Sequence, residues 1–569
     1  MLPFINKFSI QGGTNMEKMQ RSTAIATALV LIASQPAFAD FINEPSASGL
    51  TAVNITGVGR SPVTGVYDID GPVFDATGRQ LHIGYSMGVP VASLTLNNQV
   101  GTYDVIGITG LGLAYVGNGS PGALTVTGDG AFIEADTTWF GHGNDATVNI
   151  LDGGRYSGER TFLGLDDSGT PPGNVDVTVS GAGSILETET VFIGSSKTAT
   201  SSRSVLTVSN GGTLSAAPTP GDPYSYGQIY VGNDSQTRDD RLLITGAGSR
   251  AEATDFVGLL SRAGSDRIDV LDGGTLASLG TGPGQESGDI WVGGFEAPAE
   301  MLISGTGSTV EAAGGLNVGF TRFVGFDDPD TYTGPNFGRH DGIVTVTNGG
   351  LLDVGGDIIL DISEGFDASG GALVGDPVSA ELVVGSGGTV QATNVIVNSG
   401  GVLRGNGGTI LSDVTINGGL LAPGSSPGIM TIDGDLDMFS ATIEIELGGT
   451  APGYYDMLNI SGNLFADSGT IFSFLTVDGF TLTAGDSFDI FNVMGFTDIG
   501  NAIFDIAGLG FGTTTSFVSG PGGSLALRID SVGTAPSPVP LPAGGALLLG
   551  ALALLGAGRL RRTLGRSVA

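Results

Sequence analysis

The sequence predicts an all-β chain: a parallel β-helix or solenoid with a C-terminal β cap, preceded by a signal peptide and followed by one transmembrane helix. Three observations carry this. First, an aliphatic or aromatic residue followed by glycine recurs at Ile83-Gly84, Val116-Gly117, Phe140-Gly141, Leu163-Gly164, Ile193-Gly194, Val231-Gly232, Val257-Gly258, Val292-Gly293 and Val318-Gly319. Second, two glycine turns alternate between these sites. One is Gly-x-Gly, at Gly128, Gly181, Gly246 and Gly305; the other is Asn/Asp-Gly-Gly, at Asp152, Asn210, Asp272 and Asn348. Third, β-branched runs of four or five residues separate the turns, as in 177–180, 185–187 and 190–193. Corners need positive φ, which glycine and Asx tolerate, and strands favour β-branched residues, so the pattern is one of stacked short strands. The alternation makes the repeating unit a two-turn module. No sustained 3.6-residue periodicity precedes the tail.

The elements follow in order. Lys18 and Arg21 precede an apolar segment, 24–33, and then Ala37-Phe38-Ala39 before Asp40. This is an Ala-x-Ala secretory cleavage pattern, so 1–39 is read as a signal peptide, with Asp40 the expected mature start and Met16 a better initiator than Met1. Residues 40–80 are assigned to an N-terminal cap and 81–448 to solenoid repeats. The insertions 217–227 and 327–338 change the period without breaking strands, as loops at a corner would. From 449 to 532 phenylalanine becomes frequent, and this stretch is assigned to a C-terminal cap over the exposed last turn. Residues 533–538 form a Pro/Ser linker.

The last segment, 539–569, differs in character from the body. Val539, Pro540, Leu541, Pro542 and Ala543 lead into a run without charge, 541–558, followed by Arg559, Arg561, Arg562 and Arg566. The run is long enough for a short membrane-spanning helix whose arginines stay in the cytoplasm. This order of motif, helix and basic end resembles the VPLPA variant of the PEP-CTERM signals of Gram-negative bacteria. The resemblance implies processing near the motif by an exosortase-like enzyme, and membrane anchorage through the helix before processing. The repeats over about 81–420 resemble those of autotransporter passengers and PEP-CTERM surface proteins, as in Val177-Thr178-Val179-Ser180-Gly181-Ala182-Gly183-Ser184. The expected product is therefore an exported structural or adhesive protein of the cell surface, extracellular matrix or biofilm.

Composition narrows the function. The chain has 99 Gly and no Cys, so disulfides and thiolate metal sites are excluded. Without 1–39 and 539–569 the body keeps 15 basic and 56 acidic residues, a net charge of −41, and Lys197 is its one lysine. A nucleic-acid groove, which needs dense Lys and Arg, is excluded on this basis.

The candidate binding surface is an aromatic ladder. Two positions before the recurring glycines stand His82, Tyr115, Trp139, Phe162, Phe192, Tyr230, Phe256 and Trp291, then Asn317. The residue before each glycine is apolar and should face inward, so by strand alternation the ladder should face outward. Two readings stay open: a platform for polysaccharide rings or a partner solenoid, and a structural column of rings packed on one another. For cofactors the expectation is none. The weak exception is Ca²⁺, for which Asp433, Asp435 and Asp437 on one presumed strand face, or Asp327, Asp328 and Asp330 in a loop, supply oxygen ligands. The chain is expected not to be an enzyme. The alternative is a β-helix polysaccharide lyase or glycoside hydrolase, which would need paired carboxylates across a groove or a basic proton acceptor.

Overall fold

The computed structural model describes 53–56, 64–67, 73–83, 92–97 and, apart from short loop segments and 323–337, residues 106–533. The signal peptide, the linker beyond Gly533, the sorting tail and the acidic loop Asp327, Asp328 and Asp330 lie outside the described residues. No helix among the described residues is long and apolar enough to cross a membrane.

The described chain is a β-solenoid whose turns present three strand faces. The first face runs from Ala92–Asn97 through Gly122–Thr127 and Ala146–Leu151 to Ile471–Thr476 and Ile503–Gly508. Of the 17 strands in this sheet, all but the N-terminal hairpin pair Val53–Thr56 and Thr64–Tyr67 stack in parallel. The second and third faces are at first the two halves of single long strands, Ala131–Phe140, Arg155–Leu163 and Ile185–Ile193, in register along the stack. They separate into two strands where the corner receives extra residues, first at Thr213–Ala216 and Gln228–Val231, which flank the insertion 217–227. The predicted insertion therefore sits at a corner, as its length implied.

Alternation fixes the core. On the first face Leu124 and Val126, Val148 and Ile150, Val177 and Val179, and Leu206 and Val208 point inward with at most 1% exposure. The apolar residue before each recurring glycine is likewise closed off, from Val116 and Phe140 to Leu163, Ile193 and Val231. Burying each such side chain contributes about 1.5–3 kcal/mol, repeated every turn. Parallel strands need partners on both sides, so the two ends need caps. At the start, Val53–Thr56 runs antiparallel to Ala92–Asn97. At the far end, Leu525–Ser531 runs antiparallel to Ser487–Val493, with Thr514–Ser519 outside it.

The solenoid extends beyond the boundary at 448. Met457–Ile460 and Leu464–Ala466 stack in parallel on Ile429–Ile432 and Leu436–Phe439, and Ile503–Gly508 on Ile471–Thr476. The compositional change after 449 reflects larger core residues, Phe472, Phe474, Phe488 and Phe491, in turns of the same architecture. The cap proper is the antiparallel pair 514–531.

Candidate functional site

The corner between the first and second faces explains the two-turn module. Ile185 pairs with Thr213, and Ser180 with Ser209. Four residues, Gly181 to Ser184, thus span one corner where three, Asn210 to Gly212, span the next. The extra serine is a staple. Oγ of Ser184, Ser249 and Ser308 donates to the carbonyl four residues back, on Ser180, Thr245 and Ser304, at 2.7, 2.8 and 2.8 Å. The same oxygens accept the N–H of Gly153, Gly211 and Gly273 in the preceding short corner, at 3.1, 3.1 and 3.0 Å. In the reverse direction Nδ2 of Asn210 and Asn348 donates to Oγ of Ser180 and Ser304, one turn back. Long and short corners are therefore complementary. In the short corner Asn210 and Gly211 both have positive φ, and a Cβ on Gly212 would lie 2.4 Å from the Val179 carbonyl oxygen, so a glycine pair is required there.

The corner between the third and first faces uses carboxylates and amides. Asp145 Oδ1 accepts Asn174 N–H, and Asn174 Oδ1 accepts Arg203 N–H one turn on. Asp240 Oδ1 accepts Ser204 N–H at 2.7 Å, and Asp266 Oδ1 accepts Asp240 N–H at 2.8 Å. The recurring glycine makes room for this row: a Cβ on Gly194 would lie 1.8 Å from Asp240 Oδ2 and one on Gly232 2.2 Å from Asp266 Oδ2. Burial is the main cause that raises the Asp266 carboxyl to about 6, opposed by hydrogen bonds from Ser261 and the Asp240 backbone.

Tyr115, Trp139, Phe162, Phe192, Tyr230 and Trp291 face outward and are half-buried, as the alternation required, whereas Phe256 and Asn317 are buried, at 6% and 8% exposure. Tyr115, Trp139, Phe162, Phe192 and Tyr230 stand in register. Their rings stack along the axis at centroid distances of 4.8, 5.9, 5.0 and 5.2 Å and interplanar angles of 5–14°. At the start His142 meets Tyr115 and Trp139 edge-on and its Nδ1 lies 3.1 Å from Asn118 Oδ1. The backbone of His82 pairs with Tyr115. Interior rings spend both faces on each other, so they offer edges to a ligand, whereas a sugar ring stacks on a face. Trp139 Nε1 is itself buried without a hydrogen-bond partner.

Phe256 does not occupy the assigned slot. Tyr230 pairs with Gly258 and Gly258 with Trp291, while Phe256 pairs with Gln228. The inward residue opposite Val231 is Leu259, so Val257-Gly258 matches the motif two residues out of register. The ring of Phe256 leans over the side-chain-free Gly258, 2.7 Å from where its Cβ would lie, and so fills the empty rung. It meets Tyr230 and Trp291 at 49° and 63° rather than stacking flat. Asn317 continues the register and Phe320 closes the column edge-on against Trp291 at 5.1 Å. Phe320 follows Gly319 in the sequence, outside the recurring slot, and no local signal marked it.

The Ca²⁺ reading of Asp433, Asp435 and Asp437 assumed one strand face. The strands are instead Ile429–Ile432 and Leu436–Phe439, with Asp433 and Asp435 in the bend between them. Asp435 N–H donates to Asp413 Oδ1, and Asp435 Oδ1 accepts Asn463 N–H at 2.7 Å. Asp433 Oδ1 accepts the Ser461 hydroxyl. These groups are corner staples of the kind found at Asp240. Asp437 is raised by burial first, then by Asp435 and Asp413. Among the described residues no group of three His, Cys, Asp or Glu is arranged to hold a metal ion.

No family model matches the sequence. A curated relative, the adhesin BmaC autotransporter of Brucella suis biovar 1 (strain 1330), is 27% identical over 408 residues, 62% of this chain and 11% of that protein. The chain thus spans about a tenth of the length of the relative it matches. A solved structure, a TibC-catalyzed hyper-glycosylated TibA55-350 fragment, aligns with 76% of this chain and 97% of its own at 13% identity and a TM-score of 0.26.

Proposed function

We propose that this chain is an exported adhesin-type surface protein, a rigid acidic β-solenoid sorted by an exosortase-like enzyme and contacting extracellular polysaccharide. The observation that carries the reading is similarity to an autotransporter adhesin across 62% of the chain, over a stack that repeats the same corner chemistry every second turn. Uniform turns suit a spacer that presents a long side to a polymer. The hydrolase or lyase alternative needs paired carboxylates free for chemistry, whereas Asp413 and Asp435, which lie near one another, accept backbone N–H groups as corner staples. Polysaccharide contact is assigned to polar rows rather than to the ladder. Thr95, Thr125, Asn149, Thr178 and Thr207 stand in register on the first face and offer hydroxyl and amide groups at the strand spacing of about 4.8 Å.

The test is fractionation and intact mass of the natively expressed protein beside a Pro540→Ala/Pro542→Ala variant. A mature form from Asp40 to near Ala543 outside the cell, lost in the variant, is the expected result. A chain retaining Arg566 in the inner membrane in both cases would refute sorting. Binding to matrix polysaccharide that Thr178→Val/Thr207→Val does not weaken would refute the assigned surface.

A further inference from the structure

Exposed apolar side chains are distributed unevenly. Every large hydrophobic with a strongly exposed side chain among the described residues lies at Leu411 or beyond, and the most exposed gather in the last turns and cap. Met494 is 77% exposed, Phe496 71%, Tyr454 62%, Ile503 51%, Val518 44% and Val532 40%. Met494 and Phe496 form the last corner between the second and third faces. Ile503 opens the last strand of the first face, whose one partner among the described residues is Ile471–Thr476. These side chains ring the C-terminal end of the stack from its different faces, and exposed apolar side chains concentrated at one end mark an interaction surface.

The tether says which surface. The body ends at Gly533, packed beside Gly512 in the cap, and the uncharged run 541–558 starts eight residues later. Eight extended residues reach at most about 28 Å. Wherever that run is embedded, this end of the rod is held close by. The neighbouring charge is acidic, with Asp498, Asp505 and Asp530 near the patch and Arg528 within 4.0 Å of Asp530, so the patch fits an uncharged surface better than an anionic one.

We propose that the C-terminal end of the solenoid docks on a zwitterionic lipid surface through Met494, Phe496, Ile503 and Val518 while the tail is embedded. This inference rests on the reading of 541–558 as membrane-inserted. Docking would stand the rod on its end and hold Val539 to Ala543 at the interface.

The chain has no cysteine, so single reporters can be placed in the full-length protein. Met494→Cys, Leu549→Cys and Thr147→Cys would each carry an environment-sensitive fluorophore. Each would be reconstituted into phosphatidylcholine vesicles with and without a nitroxide-labelled lipid. The inference expects quenching at 494 and 549 but not at 147, with weaker quenching at 494 when phosphatidylglycerol is added. Quenching at 549 alone overturns cap docking and leaves the tail reading intact. Absence of quenching at both overturns the two together. Shielding at 494 without vesicles, growing with protein concentration, would make a second copy the occupant and equally overturn the proposal.

Discussion

Replacing Ser249 by Ala tests the complementarity of long and short corners. Ser249 is 1% exposed, and its hydroxyl accepts Gly211 N–H and donates to Thr245 O. Alanine adopts the same backbone and removes both bonds, leaving the half-buried Gly211 N–H without its partner. Such an orphan costs about 1–3 kcal/mol. In a solenoid each turn contacts only its neighbours, so the loss should stay local. Amide exchange followed by mass spectrometry reads this directly, because local opening free energies set protection. Peptides covering 204–216 and 241–253 should exchange about 5- to 150-fold faster, the factor that 1–3 kcal/mol represents. Peptides three turns away should not change. Unchanged exchange around Gly211, or an equal acceleration along the rod, would refute the staple.

Three further outcomes follow from the geometry. Phe192→Ala removes two stacked contacts, to Phe162 and Tyr230, and should destabilise its turns by about 1–3 kcal/mol in chemical denaturation, with polysaccharide binding retained once folded. Gly194→Ala places a Cβ 1.8 Å from Asp240 Oδ2 at φ +73°, and should cost more than about 2 kcal/mol, read as a lowered melting temperature. Asp266 titrates at about 6 when folded and near 3.8 when unfolded, so the native state holds the extra proton between these values. Its contribution therefore falls as pH rises from 4 to 6, by roughly 3 kcal/mol, and is flat above. Asp266→Asn keeps an acceptor for Asp240 N–H and should remove that part of the slope in a pH series of melting curves.

The solenoid was legible because its signals are local. Period-two strands, the apolar residue before glycine and the two glycine turns each reflect the conformation of a few neighbouring residues. Composition likewise excluded disulfides without reference to the fold. What sequence alone could not supply was register between turns. Val257-Gly258 has the same local pattern as Val231-Gly232, yet Leu259 is the residue that stacks on Val231, because strand pairing and not the dipeptide sets the rung. The C-terminal boundary moved for a related reason: larger phenylalanines changed the composition while the parallel pairing continued. The two-turn period itself was visible in the sequence, but its cause lies between turns, where Ser249 reaches Gly211 from 38 residues away. The ladder makes the same division. Strand alternation determined that Tyr115 to Tyr230 face outward; only stacking at about 5 Å in three dimensions decided that their faces are already occupied by one another.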